Sequence, residues 1–143
     1  MNKTIASHAA FGCATALLAS FATYLAYAQA PAVNAPARQT ELFKTTMDDV
    51  LGRVLSVRVL ERDGGTGAPA HRHPGSHTVG YVLEGAYEVK VGDGPVRKLG
   101  PGETFYEAPN ALHAVSRNGS KTSVVKYLVV QVSDPTKPAT VPE

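Results

Sequence analysis

The sequence predicts an all-β domain, an antiparallel sandwich or barrel of short strands, preceded by a cleavable export signal. Three observations predict it. Apolar residues in the middle of the chain recur with period two and not 3.6. Glycine clusters break these runs at short intervals. The first 30 residues have the layout of a secretory leader.

The leader comes first in the chain. Lys3 gives a short positive start, and the stretch from Ile5 to Ala26 carries no formal charge and is rich in Ala, Leu, Phe and Thr. Ala28-Gln29-Ala30 is a small-x-small site for signal peptidase. A retained membrane anchor is the alternative, because the apolar stretch is nearly long enough to span a bilayer. Ala28-Gln29-Ala30 followed by Pro31 favours cleavage and a periplasmic or secreted product, with no membrane attachment afterwards. The single cysteine, Cys13, lies inside this leader. Acylation there is disfavoured by Ala10-Phe11-Gly12, a poor lipoprotein lead-in. The mature domain therefore has no thiol, which excludes disulfides, thiolate ligands and a cysteine nucleophile.

Residues 31–39 are rich in Ala, Pro and Asn and read as a linker. Residues 40–133 read as the barrel, and 134–143, with three prolines, as a flexible tail. A chain of 143 residues suits one domain, and a net charge of +2 without any Lys/Arg run gives no basis for nucleic-acid binding.

Within the barrel, Leu55, Val57 and Val59 alternate with Ser56, Arg58 and Leu60. Tyr87, Val89 and Val91 alternate with Glu88 and Lys90, as on a half-buried strand. Val124 to Val132 is apolar on both faces except at Lys126 and Gln131, so a strand covered on both sides is expected. Met47 to Leu51 allows one helical turn at most. Gly64-Gly65, Gly92-Asp93-Gly94 and Gly100-Pro101-Gly102 mark turns.

The histidines carry the chemistry. His71, His73 and His77 fall within seven residues, and His113 is distant. On a strand, His71 and His73 project from one face. Paired neutral imidazoles suit a divalent transition metal such as Fe, Mn, Ni, Cu or Zn, and the ligands discriminate poorly among them. A His-x-His pair on a surface with no ligand is the bland alternative. His113 completes the set only if the sheet closes on itself.

Two stretches resemble the cupin family. Gly65 to Gly85, with His71-Arg72-His73-Pro74-Gly75 at its core, is similar to the first cupin motif. Pro101-Gly102-Glu103 through His113 resembles the second. The resemblance implies a double-stranded β-helix, or jelly-roll barrel, with His71, His73 and His113 on one metal. The family's glutamate is missing. Counting back from Gly85 puts Thr78 in its place, and counting forward from His73 puts His77 there. Strand alternation turns Thr78 inward, whereas a bulge at Gly75-Ser76 would turn His77 inward as a fourth ligand. Asn110 replaces a turn glycine, and Asn tolerates the left-handed conformation.

Glu84, Glu103 and Glu107 read as turn or solvated residues. Phe105, Tyr81, Tyr87 and Tyr127 read as barrel filling, and Arg72 as a charge facing away from the metal. The resemblance implies a range of metal-dependent activities on small molecules. The three-histidine set without a carboxylate favours an oxygenase, since some cupin thiol dioxygenases share it. A non-catalytic module that binds a small ligand or metal is the alternative, and no catalytic acid, base or nucleophile is identifiable. Pairing of sheet faces or edges into a homodimer is a further expectation.

Overall fold

A computed structural model describes residues 33–143. The leader, with Cys13, and its cleavage site lie outside the described residues. Among the described residues there is no helix, and twelve strands form two curled sheets.

The first strands are β1 (Val33–Asn34), β2 (Arg38–Thr46), β3 (Val54–Arg62) and β4 (Thr66–Ala68). Then come β5 (His71–Arg72), β6 (Ser76–Glu84), β7 (Tyr87–Val91) and β8 (Arg97–Leu99). The last are β9 (Thr104–Glu107), β10 (His113–Asn118), β11 (Val125–Ser133) and β12 (Val141–Pro142). One sheet runs β2-β3-β11-β6-β9. The other runs β1-β4-β10-β5-β12, with β7 joining β10 to β8.

The glycine clusters lie in turns: Gly64-Gly65 between β3 and β4, Gly92 to Gly94 between β7 and β8, and Gly100 to Gly102 between β8 and β9. Met47 to Leu51 forms no helix. It lies in the loop between β2 and β3, closed by Met47 N–H donating to the Arg53 carbonyl at 3.0 Å.

The ends of the domain differ from their expected roles. The segment read as a linker contributes β1, parallel to β4, and the start of β2. The segment read as a flexible tail contributes β12, paired antiparallel with β5. Both are edge strands whose pairing is set by their neighbours and not by an apolar period of their own.

On β6 the inward row is Ser76, Thr78, Gly80 and Val82, and the outward row is His77, Val79, Tyr81 and Leu83. Val82, Tyr87, Val89, Leu99, Phe105, Val125, Tyr127 and Val129 form the core. The Tyr87 ring stacks on Tyr127 at 4.5 Å and on Phe105 at 5.2 Å. Phe105 can lie there because position 80 is glycine: a Cβ at Gly80 would clash with Cε1 and Cζ of the Phe105 ring.

On β3 the polar row faces inward: Arg58 and Arg62 line the cavity together with Leu60. The apolar row Leu55, Val57 and Val59 therefore lies on the outer surface. On β11 only the inner row is fully buried. Leu128, Val130 and Val132 on the outer row stay half-buried, so the strand is not covered on both sides within one chain.

Candidate metal centre and cavity

His71 lies on β5 and His73 directly follows that strand. His113 opens β10 and pairs directly with His71. The barrel thus brings the distant histidine to the His-x-His pair. One ligand nitrogen from each of the three lies within 4.8 Å of the others. The His71 ring is 4.9 Å from both the His73 and the His113 ring. The turn before His113 contains Asn110 at φ 62°, the left-handed conformation that a glycine would otherwise supply.

Backbone carbonyls set the histidine tautomers. His71 Nδ1 is 2.8 Å from the Pro69 carbonyl, and His73 Nδ1 is 2.6 Å from the Ala139 carbonyl. A carbonyl only accepts, so each Nδ1 carries the proton and each Nε2 keeps its lone pair. Burial lowers the pKa of His71, and the neighbouring His113 and His73 lower it further. His71 is therefore held in the neutral form that binds metals.

His77 is not part of this group. It lies on the outer row of β6, exposed, with Nδ1 2.7 Å from the Tyr106 hydroxyl and its ring stacked on Tyr106. β6 keeps a regular register against β11 from Ser76 to Val82, so plain alternation decides the face. Thr78 takes the inward position, where its Oγ1 accepts a hydrogen bond from Gln131 Nε2 at 3.0 Å.

The carboxylate comes from a residue the sequence reading placed in solvent. Glu107 is 3% exposed. Its Oε1 is 3.2 Å from His113 Nδ1 and its Oε2 is 3.6 Å from His73 Nε2. On β9 it stands directly across from Thr78 on β6. The signal was available, because Phe105 was read as core and residues two apart on a strand share a face. Burial pushes the Glu107 carboxyl up, but the facing His113, with His73 and His71, outweighs this and holds it below its ordinary value. It therefore carries negative charge at neutral pH.

His113 Nε2 and Glu107 Oε2 are buried without a hydrogen-bond partner. Buried polar atoms are nearly always satisfied, and an ion is one standard partner. Three imidazoles beside a carboxylate fit a divalent transition metal. The cluster opens onto a cavity of about 350 Å³. Its wall includes Leu60, Phe105, Val129, Arg58, Gln131 and the C-terminal residues Ala139, Thr140 and Pro142.

Residues 58–131 match the family described as Cupin domain. No curated protein gives a significant match. Among solved structures, a protein of Thermus thermophilus is similar at 27% identity and TM-score 0.57, covering 69% of this chain and 85% of that one. An RmlC-like cupin of Methanocaldococcus jannaschii with a double-stranded β-helix fold is similar at 14% identity and TM-score 0.53, covering 71% and 84%. The DMSP lyase DddQ of Ruegeria pomeroyi is similar at 20% identity and TM-score 0.53, covering 93% and 70%. At these identities the last two show a shared fold and not a shared activity. The family match spans over half of the 143 residues and includes all three gathered histidines, and on that evidence the chain belongs to the cupin family.

Proposed function

We propose that the protein holds one divalent transition-metal ion at His71, His73 and His113 and acts with it on a small organic molecule, in the manner of an oxygenase. The observation that carries this reading is the convergence of three imidazoles beside an open cavity, with His113 Nε2 and Glu107 Oε2 buried and partnerless. Because Glu107 stands against the histidines, the oxygenase type rests on the redox-active ions such a set accepts and not on a carboxylate-free site. Bound there, the ion would supply Lewis acidity or redox chemistry, the choice depending on whether it is Fe, Mn, Ni, Cu or Zn. The chain's own residues do the rest. Pro69 and Ala139 orient two imidazoles, and Glu107 supplies the negative charge that neutral imidazoles lack. Leu60, Phe105 and Val129 give the cavity apolar walls that keep water from a bound molecule.

Elemental analysis of the purified protein, alongside His71→Ala and His113→Ala, tests the site. A stoichiometric metal lost in both variants is expected. Metal-free wild type, or metal retained in both variants, excludes the site. Chelator-stripped protein reloaded with Fe(II) is then expected to consume O2 with a small phenol, thiol or diketone. No turnover with Fe, Mn, Ni or Cu across a broad panel excludes the oxygenase.

A second reading is a non-catalytic module that binds a small ligand or metal. Glu107 is the one carboxylate lining the cavity among the described residues, and it is engaged with the histidines, which leaves no free acid or base. Saturable binding without product would favour this module. We further propose export, on the layout of residues 1–30, and a homodimer through the outer face of the five-stranded sheet. Supporting the dimer, an apolar row of directly paired residues crosses all five strands: Phe43, Val57, Val130, Val79 and Tyr106.

A further inference from the structure

Two cations in the cavity wall are not used by the metal centre. Arg58 and Arg62 both line the cavity from β3. On the outside, Arg38, Arg72 and Arg117 each sit on a carboxylate. Among the described residues, neither Arg58 nor Arg62 does. Arg58 donates from one terminal nitrogen to Gln39 Oε1 at 3.2 Å and from the other to Gln131 Oε1 at 2.7 Å. Its Nε is buried without a partner. Arg62 donates to the Tyr127 hydroxyl and the Ala35 carbonyl. Arg62 is buried and Arg58 half-buried, and a guanidinium drawn partly out of water and met only by neutral dipoles lacks its counter-charge.

The geometry says where that counter-charge belongs. Gln131, Thr78 and Glu107 face one another in a single row across β11, β6 and β9. Arg58 reaches the start of that row from β3, through Gln131. β3 and β9 are three strands apart, roughly 14 Å across the sheet, and Arg58 stands two residues along β3 from Ser56, the partner of Gln131. The cavity between them has a cationic end and a histidine end, with Leu60, Phe105 and Val129 among its walls. Gln39 and Gln131 fix the guanidinium before any ligand arrives, so little ordering cost is left for binding.

We infer that Arg58 anchors a carboxylate group of the small organic molecule, whose other end faces His71, His73 and His113. The planar guanidinium fork matches a carboxylate. Inorganic phosphate would match the fork too, but would leave the apolar walls without a partner. This inference rests on reading the cavity as the site for a small organic molecule. It does not depend on oxygenase chemistry.

Calorimetry on the purified full chain provides the test, in a redox-inert zinc-loaded form and a chelated form. The probes are acetate, butyrate and benzoate, each against its own amide, with inorganic phosphate as a further probe. At least one carboxylate is expected to bind about tenfold or more tightly than its amide in both forms, the advantage of a charged over a neutral hydrogen-bond partner. Arg58→Gln should remove that preference while keeping its zinc stoichiometry. Arg58→Lys keeps the charge without the fork and should retain only part of the preference, which covers the case that the glutamine variant does not fold. The inference is overturned if no carboxylate outbinds its amide, or if the preference persists in Arg58→Gln. It is also overturned if the preference appears only with zinc, since the anion then sits on the metal, or if phosphate binds more tightly than every carboxylate. A carboxylate preference in protein that binds no metal would instead refute the metal-centred function and leave this inference standing.

Discussion

Glu107 sets the charge of the site. It is buried against His113 and His73 and is held ionised by them. Glu107→Gln keeps the shape and removes the charge. Metal affinity is expected to fall by about 10- to 100-fold, the usual effect of losing a partner that orients and polarises a ligand histidine. A competition titration with a chromophoric chelator measures this, and an unchanged affinity would remove Glu107 from the site. His77→Ala, on the outer face, should bind metal as wild type does in the same titration. Gly80 is the other residue with a sharp expectation. Its missing Cβ makes room for the Phe105 ring, which also lines the cavity. Gly80→Ala is expected to destabilise the fold by about 1–3 kcal/mol, as overpacking of a filled core does. Thermal and denaturant unfolding would show it.

Among the elements, β12 matters more than its two residues suggest. It pairs with β5, and the segment leading into it supplies the Ala139 carbonyl that holds His73. Glu143 closes it down with two hydrogen bonds from Arg72, at 2.7 and 3.1 Å. The hydrogen bond from Arg72 holds the Glu143 carboxyl below its ordinary value. A depressed carboxyl pKa contributes at neutral pH, and the contribution is lost as pH falls through the folded value. The pair is exposed, so the effect is local fraying and not global unfolding. Hydrogen exchange at the Val141 and Glu143 amides should speed up as pH drops below the normal glutamate range, after correction for intrinsic rates. Glu143→Gln should reproduce it at neutral pH.

These elements also show what the sequence could reveal. The faces of β6 and β7 follow from alternation, because one side of each is buried in the core. His71, His73 and His113 follow from spacing, because a closed sheet returns to its start. The β3 faces could not be assigned from hydropathy, because the cavity side is the polar one, with Arg58 and Arg62 facing in. β12 was hidden by three prolines in the last ten residues, and its pairing comes entirely from β5. Glu107 was missed because the missing carboxylate was sought at a fixed distance along the chain.

For the whole molecule, the five-stranded sheet is two-faced. Its inner face holds the cavity. Its outer face leaves Phe43, Val79, Tyr81, Leu83 and Tyr106 exposed on one chain. A contiguous apolar face of this kind marks an association surface, and the proposed partner is a second copy. Sedimentation velocity should find a dimer in the wild type. Val79→Lys with Phe43→Lys places two charges in the apolar row and should yield a folded monomer that still binds metal. A monomeric wild type at micromolar concentration would exclude the pairing.

Thr78 and Glu107, opposite each other on β6 and β9, have a consequence for how such sites change over time. Paired residues on adjacent strands lie only about 5 Å apart at their Cβ atoms. A functional group can therefore pass from one strand to its neighbour while its charge stays nearly where it was. The address of a catalytic side chain in a barrel is then a rung of the ladder, not a place in the linear string. Chains discarded for lacking the expected letter could retain the chemistry, written one strand to the side.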